Sequence, residues 1–189
     1  MRALVTLFAT MLAVALSANT ALAANTDQTI SFRMSAQYNS LLGGFDNGTA
    51  VFTGSIKGSD ISRLRGTMDL GVSSYSLTLD PNGPAQLGDQ NLQVGWQQVI
   101  CDQFFCQWIY GTATYTHTVG SMPVDVRFGQ LRGNGTLNWA TDAICTASCP
   151  PPGAYVYYVP QGNSQLSAAV TSKGEAGTLN LYGPAPSIQ

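Results

Sequence analysis

The chain has 189 residues, of which 10% are charged, with a formal net charge of −2 and only two lysines, Lys57 and Lys173. So few cations cannot form a basic patch, so nucleic acid is not expected as a partner. Gly, Ser, Thr, Asn and Gln are abundant instead, which suits a secreted or surface β-protein better than a cytosolic enzyme.

Residues 1–23 read as a signal peptide of bacterial type. Met1-Arg2 gives a short positive start, and Ala3 to Leu16 is an apolar run of fourteen residues, too short for a membrane span. Ala21-Leu22-Ala23 fits the small-x-small cleavage rule. Cleavage after Ala23 leaves 166 of the 189 residues, with seven Lys and Arg against ten Asp and Glu. The expected location is therefore outside the cytoplasm: extracellular, cell surface or periplasmic. No cysteine stands at the cleavage point to take a lipid, and a membrane is not expected as a partner.

From Ile30 onward the apolar pattern has period two. It runs through Ile30, Phe32, Met34, Ala36 and Tyr38, then Ala50, Phe52 and Ile56, then Leu64, Met68, Leu70 and Val72. Tyr75, Leu77 and Leu79 follow, then Leu92, Val94, Trp96 and Ile100, then Val124, Val126 and Phe128. Val156 with Tyr158, then Leu166, Ala168 and Val170, then Leu179 with Leu181 complete the series. Such alternation marks half-buried antiparallel strands. The expected fold is all-β, an antiparallel sandwich or barrel of about nine to eleven short strands, forming one domain over residues 24–183. Residues 184–189 read as a flexible tail.

Asn47-Gly48, Asn82-Gly83 and Asn134-Gly135 read as turns. Pro150-Pro151-Pro152-Gly153 reads as a stiff connector. Apolar parity changes from even to odd between Val72 and Tyr75, which predicts a bulge or tight bend over Gly71 to Ser74. Gly-Thr recurs at Gly48, Gly66, Gly111, Gly135 and Gly177 without a fixed period, so it is read as a turn glycine followed by a strand-favouring threonine. The aspartates Asp46, Asp60, Asp80 and Asp89 read as turn residues.

The four cysteines, Cys101, Cys106, Cys145 and Cys149, predict two disulfides in an oxidising compartment. Three connectivities are possible, and the local one, Cys101 with Cys106 and Cys145 with Cys149, is preferred. A bond between Cys101 and Cys106 fixes a hairpin in which Trp96 lies opposite Gly111, Val94 opposite Ala113, and Leu92 opposite Tyr115. The opposite face then carries Gln93, Gln97, Val99, Trp108, Tyr110, Thr112, Thr114 and Thr116, with Phe104 and Phe105 at the tip. Trp and Tyr among Gln and Thr suit stacking on a sugar ring or a protein surface. The candidate ligand-binding residues are Gln97, Trp108, Tyr110, Thr112 and Thr114. If a second layer covers this face, Trp108 and Tyr110 are core instead.

Catalytic sets are sparse. His117 is the only histidine and Glu175 the only glutamate, and there is no G-x-S-x-G. No catalytic residue, metal or cofactor is expected. The leading expectation is a non-catalytic secreted β-domain that binds a surface, glycan or protein, or serves as a structural subunit. A small barrel carrying an apolar ligand, an outer-membrane barrel and a hydrolase using His117 are the alternatives. Open strand edges with few lysines would also invite pairing with a second copy.

Overall fold

The computed structural model describes residues 27–189; the signal-peptide reading of residues 1–23 lies outside the described residues. Thirteen antiparallel strands and no helix make up the described chain. They are β1 (Gln28–Ser40), β2 (Gly44–Lys57), β3 (Asp60–Ile61), β4 (Leu64–Leu70) and β5 (Ser73–Pro81). Next come β6 (Gln86–Cys101), β7 (Cys106–Phe128), β8 (Leu131–Ala140) and β9 (Ile144–Ala147). The last are β10 (Tyr155–Val156), β11 (Asn163–Ser172), β12 (Glu175–Pro184) and β13 (Ser187–Ile188). The count exceeds the nine to eleven expected because β3 and β13 are two-residue pairings too short to show alternation. Nor are the strands uniformly short: β6 has 16 residues and β7 has 23.

The hydrogen-bonded order runs β7-β5-β4-β2-β1-β12-β11-β8, and β8 pairs in turn with β7. The pairings of these eight strands therefore return to their starting point. Each strand contributes apolar side chains to one buried cluster, including Phe32, Phe52, Leu64, Leu77, Val126, Leu137, Leu166 and Leu179. Period-two alternation explains this directly: one face of every strand is apolar and all eight faces meet. Phe32 stacks on Phe52 with ring centroids 5.0 Å apart, and Trp139 meets Phe32 edge-on at 6.1 Å.

The parity break is a tight bend, as expected over Gly71 to Ser74: β4 ends at Leu70, β5 begins at Ser73, and Gly71 takes φ of 55° between them. Other local expectations change. Val72 is on that turn and fully exposed, not part of the apolar row. Asp46, Asp60, Asp80 and Asp89 all lie in strands. Asp80 pairs with Arg63 and Arg127. The last residues are tied down. β12 pairs with β1 only from Ser35, so the start of β1 has an open edge, which Ser187 and Ile188 fill by pairing with Ser31 and Ile30. Thr29 and Gln189 exchange backbone hydrogen bonds of 2.7 and 3.0 Å.

The Gly-Thr glycines are not turn residues. Gly48, Gly66, Gly111, Gly135 and Gly177 all lie within strands, as therefore do the dipeptides Asn47-Gly48 and Asn134-Gly135. A Cβ at Gly48 would collide with the Asp69 carbonyl, and one at Gly66 with the Val51 carbonyl. At both positions a neighbouring backbone stands where a side chain would, so glycine is required by close approach.

Gly66→Val should cost about 3 kcal/mol or more through this overlap, whereas Gly88→Val, with nothing within 4 Å of its Cβ, should change stability by less than about 0.5 kcal/mol. Urea midpoints of the two variants check the contrast. A second test uses Tyr38, whose hydroxyl donates to Glu175 Oε1 at 2.8 Å. Burial first, and that carboxylate second, push the phenol up to about 12. A tyrosine raised on folding stabilises the fold fully below its unfolded value of about 10, and the contribution is lost as pH rises through the folded value. Stability should therefore fall between about pH 10 and about pH 12, and Tyr38→Phe should flatten that fall.

Candidate functional site

The site is built on the hairpin of β6 and β7. Both disulfides join the nearest cysteines, Cys101 with Cys106 and Cys145 with Cys149. Cys101 pairs with Cys106 at the hairpin end, and the same register holds without slippage back to Gln86 opposite Ser121. Trp96 lies opposite Gly111, Val94 opposite Ala113, and Leu92 opposite Tyr115. The bond sets the register because paired cysteines must share one side of the sheet.

One face of the hairpin is covered. Val94, Ala113 and Tyr115 form a second buried cluster with Ala143, against which Leu92, Trp96, Cys145, Val156 and Val159 pack. The cover is the segment between β8 and β11, held by β9 pairing with β7 and β10 pairing with β6. The Trp96 indole lies over Gly111, where a Cβ would strike the ring. The ring nitrogens Trp96 Nε1 and His117 Nδ1 are buried without a hydrogen-bond partner.

The other face is open. Trp108 is 56% exposed and Tyr110 67%, so no second layer covers them. Cross-strand partners point to the same side, so each paired set forms a row across this face. Nearest the eight-strand circuit, Thr116 donates to Asn91 at 2.8 Å, and Gln93 donates to Thr114 at 3.0 Å. Thr112 then stands beside Gly95, over which the Tyr157 ring lies. The next row is Tyr155, Gln97 and Tyr110, on β10, β6 and β7. Tyr157 donates to Gln97 Oε1 at 2.8 Å and meets Tyr155 edge-on at 5.8 Å. Val99 and Trp108 form the last row before the disulfide. Thus Gln97, Trp108, Tyr110, Thr112 and Thr114 all share one face. A hollow of about 310 Å³ opens beside Tyr157 at the edge of β6.

Tyr155 and Tyr157 also belong to this face, beyond the residues the sequence points to. The alternation in Tyr155-Val156-Tyr157 carries the signal, but it is masked by the equally alternating pair Val156 and Tyr158. Val156 packs inward, while Tyr158 is exposed. The hairpin tip is ordered by Asp102, whose Oδ1 accepts from the backbone N–H groups of Phe104 at 2.7 Å and Phe105 at 2.9 Å. These two donors hold its carboxyl below the usual carboxylate range.

His117 Nε2 meets Gln90 Oε1 at 3.1 Å, and Nδ1, the nitrogen that a triad carboxylate holds, has no hydrogen-bond partner. Among the described residues no three His, Cys, Asp or Glu side chains are grouped to hold a metal ion. No protein family, curated protein or solved structure matches the chain.

The two exposed-face and covered-face indoles should separate on mutation. Trp108→Ala should leave stability within about 0.5 kcal/mol, whereas Trp96→Ala should cost about 3 kcal/mol by opening the second cluster. Denaturant midpoints measured side by side check this.

Proposed function

We propose that the protein is an exported, non-catalytic β-barrel domain that binds a glycan through the aromatic face of its hairpin. The observation that carries this reading is the row Tyr155–Gln97–Tyr110, in register across three strands, with Tyr157 and Trp108 beside it. Neighbouring strands lie about 4.8 Å apart, which puts Tyr110 and Tyr155 about 10 Å from one another. Flat rings at that spacing can stack on separate rings of an extended sugar chain, while the Gln97 amide between them reaches hydroxyl groups.

The barrel reading rests on the return of the pairings to β7 and on apolar side chains from eight strands meeting in one cluster. Export rests on the signal-like residues 1–23 and on two disulfides, which suit an oxidising compartment. A carrier of an apolar ligand would need internal space, and Phe32, Phe52, Phe128 and Met122 occupy it. An outer-membrane barrel would need an apolar outer band, but the outward row of β1 is Thr29, Ser31, Arg33, Ser35 and Gln37. The outer edge of β6 over residues 86–94 pairs with no strand among the described residues, so pairing between copies belongs to this proposal as a secondary mode.

An array of polysaccharides probed with the oxidised protein tests the reading. Wild type should bind a glycan, and Tyr110→Ala and Trp108→Ala should each weaken binding about tenfold or more with unchanged melting temperature. Binding that survives both substitutions would place the site elsewhere.

A further inference from the structure

The open face of the hairpin has a polarity gradient along its length. Asn91 with Thr116 and Gln93 with Thr114 stand nearest the eight-strand circuit, followed by the tyrosines around Gln97, then Val99 with Trp108. The tip beyond carries Phe104, 89% exposed, with Phe105 and Ile100 also exposed. Residues 86–121 contain no Lys or Arg and only two acids, Asp89 and Asp102.

That sequence of side chains matches the depth profile of a bilayer surface: phenyl rings for the acyl boundary, Trp and Tyr for the headgroup level, amides and hydroxyls for water. A protein partner would not require the three zones in this order. The missing cations argue against attraction to anionic lipid. We infer that the disulfide-capped tip inserts Phe104 and Phe105 shallowly into the interface of a zwitterionic phospholipid bilayer.

The tip is prepared for this contact. The Cys101–Cys106 bond closes it, Asp102 Oδ1 accepts two backbone N–H groups, and Asp102 N–H donates to Phe105 O at 3.0 Å. Little conformational freedom is left to lose on insertion. The Asp102 carboxylate limits the depth, because a charge at the tip resists entry into the hydrocarbon. Rows along the hairpin are about 6.8 Å apart, so rings inserted about 5–10 Å leave Trp108 at the interface and the tyrosine row at its outer margin.

The test adds phosphatidylcholine vesicles to the oxidised full chain and follows tryptophan emission. Trp108 is the exposed tryptophan; Trp139 is buried and Trp96 packs on the second cluster. Emission should shift to the blue and saturate, and vesicles with brominated acyl chains should quench it. The double variant Phe104→Ser/Phe105→Ser should keep the melting temperature and lose at least about tenfold in vesicle affinity. No spectral shift, or a shift unchanged in the double variant, would overturn the inference. Binding confined to anionic vesicles and abolished by salt would overturn it as well. The variant leaves Tyr110, Gln97 and Tyr155 intact, so vesicle binding and glycan binding are read independently.

Discussion

One strand, β7, changes partners along its length within the single sheet, and the rest of the structure follows from that. Over residues 106–121 it pairs with β6, and over residues 119–128 it pairs with β8, with β5 joining from Val124. Its side chains alternate without a break, so the buried face can change only if the covering layer changes sides. This happens between Tyr115 and Gly120. Ala113 and Tyr115 are buried by the segment between β8 and β11, while Met122, Val124, Val126 and Phe128 are buried within the eight-strand circuit. Trp108, Tyr110 and Thr112 share the parity of the circuit's inner residues but stand beyond the reach of its other strands. Their exposure is a consequence of topology, not of unusual local sequence.

Two tryptophans accompany this change of side. Trp139 lies over Gly120 where β7 enters the circuit, and Trp96 lies over Gly111 on the covered face of the hairpin. In each pair the indole supplies apolar contact that the glycine lacks, and the glycine leaves room for the indole. A long strand with different covering layers at its two ends thus keeps dense packing on the buried side throughout.

Much of this was legible from residues alone. Alternation identified most core positions because nearly every strand has one wet face. The disulfide register of the hairpin was readable because two cysteines five residues apart leave little choice of pairing. The strand glycines are not legible as such because Asn-Gly and Gly-Thr look alike in a turn and at a close backbone approach. The inner row of β8, Leu131, Gly133, Gly135, Leu137 and Trp139, loses its apolar signal to Gly133 and Gly135. The apolar row of Leu92, Val94 and Trp96 marks that side of the hairpin as the buried one, but whether a layer also covers the Trp108 side is not legible. It depends on a proline-rich segment whose pairings, β9 and β10, span only four and two residues. The same limitation concealed Tyr155 and Tyr157.

The change of buried face along β7 creates the open aromatic side on which the proposed glycan contact depends. Nuclear relaxation by a soluble paramagnetic agent tests it residue by residue. The account predicts strong relaxation for the side chains of Trp108, Tyr110 and Thr112, and protection for Met122, Val124, Val126 and Phe128 on the same parity. Protection of Trp108 and Tyr110 equal to that of Val126 would contradict it, and the glycan contact would fall with it.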